Sequence, residues 1–109
     1  MKQLFLKQKY LRYILEGKKP LEGRVGYDNI KMLKPGDYIY LNGEYKAQIV
    51  DIQRYPTFRD AVNENNFKLL VPNASSVKEV VELYEMLFPL WKQRQFGAYI
   101  LKIKYPTNR

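Results

Sequence analysis

The sequence predicts an α+β fold, a curved and mostly antiparallel β-barrel of about five to six strands with about three flanking helices. Two observations lead to this prediction. Apolar residues alternate in short runs near both ends of the chain, as in strands, and they recur at helical spacing in segments between. A length of 109 residues suits one compact domain, which we place over residues 1–109.

Helical spacing and capping residues predict two longer helices. Apolar residues within 7–16 recur on one helix face, and Gly17 follows where a left-handed residue would end the helix. The second helix begins after Ser76, which is expected to form a capping box with Glu79. It carries a continuous apolar stripe and ends at Phe88-Pro89.

Turn residues separate the predicted strands. Residues 34–37 place proline and glycine at the centre of a type II turn, and Asn42-Gly43 is the signal of a type I′ hairpin. A shift in the apolar phase at Val50 predicts a bulge in the second hairpin strand. Thr57 is expected to cap a short helix that ends near residue 65. The expected strands are residues 4–6, 21–25, 38–41, 45–54 and 99–104.

Composition excludes several kinds of chemistry. The chain has no cysteine and no histidine, which rules out disulfides, thiolate catalysis, a Ser-His-Asp mechanism and nearly every structural zinc site. No carboxylate cluster has ligand spacing, so we expect no metal and no cofactor. No apolar run approaches the roughly 20 residues that span a bilayer, so we expect a cytoplasmic protein without membrane contact. Abundant Lys, Tyr and Ile are typical of a thermophilic source.

The net charge of +8 is distributed unevenly. Residues 1–34 carry +6, residues 35–90 carry −3 and residues 91–109 carry +5. If the terminal strands are neighbours in the barrel, their charges form one positive face suited to phosphates. The alternative is a solvated surface that only keeps the protein soluble.

Residues 17–24, Gly-Lys-Lys-Pro-Leu-Glu-Gly-Arg, fit the pattern G-x-K-x-x-E-x-R. With the preceding helix, the following turn and hairpin, and the late helices and final strand, the sequence resembles the ASCH family, a branch of the PUA-like superfold, over essentially its whole length. Members of that family are regarded as RNA-binding modules. The resemblance implies that Lys19, Glu22 and Arg24 line a cleft beside the barrel.

The chemistry of these three side chains agrees with that implication. Lys19 and Arg24 can neutralise phosphate oxygens, and Glu22 can orient Arg24 or accept hydrogen bonds from a base or sugar. The alternative is a structural ion pair between Glu22 and Arg24 on the surface, which would contribute about 0–1 kcal/mol.

Other basic and aromatic residues are candidates for the same site. Ten tyrosines, several beside bases, suit stacking with single-stranded RNA, although most would fill the core. Residues 91–97 read as a loop that either contacts RNA or a partner or covers the open end of the barrel. The further residues expected to bind RNA or a nucleotide are Lys18, Tyr27, Arg54, Tyr55, Lys102 and Lys104.

An enzyme is the alternative reading. Some small relatives of the family act as amidohydrolases on acylated cytidine, with a lysine, a threonine three residues later and a downstream glutamate, and others cleave RNA. Lys19 matches the lysine, Glu22 occupies the threonine position, and Glu64 is the candidate for the downstream acid. Such a pair would transfer protons if burial lowered the pKa of Lys19. A protein-interaction module with a basic face is the third alternative.

Overall fold

A five-stranded sheet packed between helices forms the body of the protein in the computed structural model, which describes residues 2–106. Within that range the chain forms five strands and six helices. The strands are β1 (Gln3–Leu4), β2 (Leu21–Val25), β3 (Tyr38–Leu41), β4 (Tyr45–Tyr55) and β5 (Ala98–Lys104). The helices are α1 (Gln8–Leu15), α2 (Asp28–Lys31), α3 (Phe58–Ala61), α4 (Phe67–Leu70), α5 (Val77–Leu87) and α6 (Leu90–Phe96).

The strand order in the sheet is β1-β3-β4-β5-β2. All pairs are antiparallel except β1 with β3, so the α+β class and the mostly antiparallel sheet are confirmed. β1 and β2 are the two edges and do not pair with each other, so the sheet stays open and the expected closure into a barrel is not seen. The first and last strands are also not neighbours, because β3 and β4 separate β1 from β5.

The central strand β5 contributes to two hydrophobic clusters. Ala98 and Ile100 belong to one cluster, which they share with the apolar residues of α3, α4 and α5. Leu101 and Ile103 belong to the other, together with α1, α2 and the β3–β4 hairpin. Since successive side chains of a strand point to opposite faces, both faces of the sheet are covered. The motif strand β2 therefore forms an edge that lies between the two helical layers.

The turn chemistry read from the sequence agrees with the backbone. Gly36 has a φ of 96°, and Asn42 and Gly43 both have positive φ, as the type II and type I′ turns require. The pairing of β4 with β5 shifts between Ile49 and Asp51, which is the predicted bulge at Val50. The helices α1, α3 and α5 were expected, whereas α2 and α4 are single turns without a strong sequence signal.

The prediction of a loop before β5 is wrong, because α6 occupies Leu90–Phe96. The buried amide of Gln93 holds this helix in place. Its Oε1 accepts the Phe58 N–H at 2.8 Å, and its Nε2 donates to the Phe88 carbonyl at 2.7 Å. Trp91 does not cover the core, since it is 60% exposed.

Candidate functional site

A cleft of about 210 Å³ runs along the outer edge of β2. One wall is the segment from β1 to α1, with Phe5, Leu6 and Tyr10, and the opposite wall is formed by the ends of α4 and α5. The motif residues form the floor between these walls. Because β2 pairs only with β5, its free edge and the side chains beside it face the cleft. The topology thus leaves an edge strand lining an open cleft.

Three charged side chains of the motif meet at this floor. Glu22 Oε1 lies 3.0 Å from Lys19 Nζ, and Glu22 Oε2 lies 2.6 Å from Arg24 Nε. The side chains of Lys19 and Glu22 are only 3% and 10% exposed. This arrangement is therefore a buried ion-paired triad, and the alternative of a surface pair between Glu22 and Arg24 does not describe it.

Lys19 is held entirely by the protein. Its ammonium donates to the carbonyl oxygens of Leu21 and Leu70 as well as to Glu22. An ammonium has three donors, and these three acceptors use them all. Lys19 lines the cleft, yet its hydrogen bonds join β2 to α4 and leave no donor for a ligand.

Glu22 stays ionised in this setting. Burial alone would raise the pKa of its carboxyl, but the charges of Lys19 and Arg24 and their hydrogen bonds outweigh that effect and lower the pKa below its usual value. Glu22 is thus a carboxylate at neutral pH whose two oxygens already accept from cations. The triad has a net charge of +1.

Arg24 is the accessible cation of the triad. Its Nε donates to Glu22 and its Nη2 donates to the carbonyl of Phe5 at 2.6 Å, while its side chain is partly exposed. Among residues 2–106, no hydrogen-bond acceptor is found for Nη1 of Arg24. The guanidinium is therefore fixed in orientation by two bonds and presents its remaining donors beside the cleft.

Each of the two motif glycines is required for a different structural reason. Gly17 has a φ of 79° and ends α1, after which the N–H groups of Lys18 and Lys19 both bond to the carbonyl of Tyr13. At Gly23 a Cβ would lie 2.7–2.8 Å from atoms of the buried Tyr84 ring. The motif strand needs a glycine there because Tyr84 packs directly on its backbone.

The aromatic residues of the cleft were missed by sequence reasoning. Phe5 is 66% exposed at the rim, and Tyr10 and Tyr84 line the interior. Burial, with a further contribution from the charge of Glu22, raises the pKa of both tyrosines, so they stay protonated. Tyr10 belongs to the apolar stripe of α1, a pattern that predicts core packing. The sequence offered one signal for Phe5: in the strand predicted over residues 4–6, alternation places its side chain on the face opposite Leu4.

Several predicted site residues lie outside the cleft. Lys18 is exposed and pairs with Glu16 at 3.4 Å, and Glu64 is exposed in the connection between α3 and α4. Lys102 and Lys104 line a different groove, which shares Lys19 with the cleft. The residues that the structure brings together at the cleft are therefore Lys19, Glu22 and Arg24.

The other predicted aromatic and basic residues lie in the last two positions of β4 and just after the end of β2. Tyr55 is half-buried and packs against the cluster of α3 to α5. Arg54 lies over the ring of Tyr99, with its Cζ 6.0 Å from the ring centroid. Tyr27 follows β2 and contacts Phe96 of α6. These three residues do not line the cleft.

The fold and the motif agree with a known family. The model of the ASCH domain matches residues 4–107, nearly the whole chain. The chain belongs to the ASCH domain family. The resemblance inferred from residues 17–24 is therefore confirmed, together with the PUA-like fold that it implied. In the ASCH domain described here, the motif forms the floor of a cleft at the sheet edge.

Two solved structures are similar to this ASCH domain. One is the crystal structure of hypothetical protein PH0355, with 25% identity and a TM-score of 0.86 over 94% of this chain and 95% of that chain. The other is the solution NMR structure of protein PF0455 from Pyrococcus furiosus, with 25% identity and a TM-score of 0.78 over 94% of each chain. No curated protein matches the chain significantly.

Two structural features are absent from residues 2–106. No helix there is long and apolar enough to cross a membrane. Within the same residues, no group of three or more acidic side chains is arranged to hold a metal ion.

Proposed function

We propose that this ASCH domain binds RNA or a nucleotide by taking one base into the cleft beside β2. The observation that carries the proposal is the position of Arg24, whose oriented guanidinium borders an aromatic-lined cleft. The ammonium of Lys19 has no donor left for a ligand, and both oxygens of Glu22 already accept from cations. A base offers the cleft a planar ring, and its carbonyl oxygens or the adjoining phosphate accept hydrogen bonds from Arg24.

The size and lining of the cleft support a single ring. A cavity of roughly 150 Å³ holds benzene, whereas sites for drug-sized ligands are about 300–1,000 Å³. The cleft, at about 210 Å³, lies between these values. Its walls are mostly apolar, with Phe5, Tyr10 and Tyr84 among them, so a base entering it would replace water on both partners.

The membership in the ASCH domain family supports the same proposal, because this family is often proposed to bind RNA. The charges at the cleft agree with it. Lys7, Lys19 and Arg24 line the cleft and Glu22 is the one acid among its lining residues, so the local charge is positive. Binding that involves phosphates should weaken as salt rises, because the counterions released from the phosphates on binding gain less entropy at high salt concentration.

The geometry favours binding over amide hydrolysis. A lysine that acts as a base must be neutral, but the ammonium of Lys19 is bound to a carboxylate and two carbonyl oxygens. The lowered pKa of Glu22 makes it a poor proton donor at neutral pH. Glu64, the candidate downstream acid, does not line the cleft. Amide hydrolysis would be supported only if the protein released free acid from an acylated cytidine.

Substitution of Arg24 tests the proposed function. Arg24→Gln removes the accessible charge, and since hydrogen bonds to charged groups are worth about 1.5–3 kcal/mol, affinity for nucleoside monophosphates or short RNA should fall about 10- to 150-fold. Arg24→Lys keeps the charge without the planar fork and should give an intermediate loss. Calorimetric titration at low salt measures both.

The matched control is Arg59→Gln. Arg59 is an exposed arginine that pairs with Glu85 on α5, and it does not line the cleft. It should leave affinity unchanged. Circular dichroism confirms that each variant is folded. Equal affinity of wild type and a folded Arg24→Gln variant would contradict the proposal.

A further inference from the structure

A second aromatic surface lies where β2 ends and α6 begins. It consists of Tyr27, Trp91 and Lys92, and we call it the aromatic platform. Lys92 Nζ lies 5.9 Å from the centroid of the Tyr27 ring and 5.6 Å from that of Trp91. The Tyr27 ring also meets Phe96 edge to face, with 4.9 Å between centroids. The platform thus combines two aromatic rings with a cation at their faces.

Most of the indole of Trp91 is open to solvent, since the residue is 60% exposed. Exposed apolar residues lie close to Trp91 along the chain: Leu90 immediately precedes it, and Leu87, four positions earlier, also lines the cleft. Several exposed apolar residues together are typical of a binding site, whereas single ones are ordinary. This chain segment therefore carries exposed apolar side chains from the cleft rim to the platform.

Two short pieces of chain hold the platform next to the cleft. Tyr27 is three positions after Arg24, so their Cα atoms are at most about 11 Å apart. On the other wall, Leu87 at the cleft rim is four residues from Trp91, across the junction of α5 and α6. With successive nucleotides about 3.4 Å apart along one stacked strand, a few nucleotides span this distance.

The charge and the exposed rings of the platform favour a nucleic acid as the ligand over a protein with an acidic face. Lys92 and Arg94 are both on α6, and residues 89–106 contain no acidic residue. Asp28, directly after Tyr27, is the one acid adjoining the platform in sequence. Exposed aromatic rings beside cations are the combination that single-stranded nucleic acid binds, because every base has a face to stack and a phosphate to neutralise.

We propose that the aromatic platform stacks a second base, so that the ligand of this protein is a single-stranded oligonucleotide and not an isolated nucleotide. The first base occupies the cleft and a neighbouring base stacks on Trp91, with Lys92 near the phosphates between them. This inference rests on the proposed function of the cleft. To that proposal it adds that the ligand is at least two nucleotides long, and that the platform residues make the protein prefer an oligonucleotide to a single nucleotide.

Trp91 is the only tryptophan of the chain, so its own fluorescence reports on stacking. Wild type is titrated at low salt with an RNA tetranucleotide and, separately, with the nucleoside monophosphates. The tetranucleotide should quench Trp91 as it binds, and the monophosphates should bind in calorimetry without that change. Trp91→Ala should weaken tetranucleotide binding about 5- to 150-fold and leave monophosphate affinity unchanged. Trp91→Phe, which keeps an aromatic ring, should restore part of the loss.

Met86→Ala is the matched control, because Met86 is exposed on α5 and outside the platform and cleft. It should change neither affinity. Equal affinity for monophosphates and tetranucleotide, together with no effect of Trp91→Ala, would overturn the platform while leaving the proposed function of the cleft intact. Absence of binding to both ligands in wild type would overturn both proposals.

Discussion

The carboxylate of Glu22 organises the motif at the scale of single residues. It lies between Lys19 and Arg24 and accepts from both. Lys19 also donates hydrogen bonds to two backbone carbonyls, one in β2 and one in α4, so it links these two elements. Arg24 donates a hydrogen bond to the Phe5 carbonyl and lines the cleft. The two cations of the motif therefore have different roles: Lys19 stabilises the fold, and Arg24 is accessible at the cleft.

Replacing Glu22 should cost far more stability than replacing an exposed acid. Glu22→Gln leaves the buried ammonium of Lys19 without its counter-charge, and breaking a buried pair from one side costs about 3–5 kcal/mol. Glu85→Gln is the control, since Glu85 pairs with the exposed Arg59 and such pairs are worth about 0–1 kcal/mol. Urea unfolding at pH 7 measures both free energies.

The same variant tests the pKa of Glu22. A carboxyl whose pKa is lower in the folded state stabilises the protein above its unfolded pKa, near 4.5, and that contribution is lost as the pH falls through the folded value. The difference in unfolding free energy between wild type and Glu22→Gln should therefore shrink as the pH falls below about 4.5. A difference that stays constant with pH would contradict the ion-paired state of Glu22.

The cleft wall from β1 to α1 is fixed by a residue of another element. Asn42, in the turn between β3 and β4, accepts the Leu6 N–H through Oδ1 at 2.8 Å and donates to the Leu6 carbonyl through Nδ2 at 2.9 Å. Its own N–H donates to the Leu4 carbonyl at 2.9 Å. One asparagine therefore closes the hairpin turn in a left-handed conformation and also holds the segment that carries Phe5.

Removal of the Asn42 side chain should loosen this wall while preserving the hairpin. Asn42→Gly tolerates the positive φ and loses both side-chain bonds, which are worth about 0.5–1.5 kcal/mol each. Asn42→Asp keeps the acceptor for the Leu6 N–H but places a carboxylate oxygen against the Leu6 carbonyl, so it should also lower the unfolding free energy. Nucleotide affinity should fall in both variants. Affinity of Asn42→Gly equal to that of wild type would show that this wall does not contribute to binding.

The elements with local signals were predictable from the sequence, and those that depend on distant contacts were not. The Asn42-Gly43 hairpin, the bulge at Val50 and the capped start of α5 at Ser76 each rest on a few adjacent residues, and each is confirmed. The helix α6 lacks such a signal. It depends on hydrogen bonds of Gln93 that include the backbone of Phe58, 35 residues earlier.

The same distinction applies to the site. The motif placed Lys19, Glu22 and Arg24 in one cleft, which follows from their closeness along the chain, two of them on β2 and Lys19 just before it. The acceptors that decide their roles are the carbonyls of Leu70 and Phe5, 51 and 19 residues away in sequence, and no sequence pattern marks a backbone carbonyl. The sequence therefore predicted the location of the site and not the separate roles of its cations.

At the scale of the whole molecule, the positive charge is not gathered on one face by paired terminal strands. β5 lies at the centre of the sheet, and Lys102 and Lys104 point to a groove other than the cleft. What the topology does create is an edge strand, β2, with a helical layer on either side. We propose that the ligand binds at this edge, through Arg24 and the aromatic walls of the cleft.

Titration with short single-stranded RNA, followed by ¹H–¹⁵N NMR of the backbone amides, locates the bound ligand. We expect the largest shifts at Phe5, Gly23 and Arg24, with smaller ones at Trp91. Shifts confined to Lys102 and Lys104, with none along β2, would contradict this proposal.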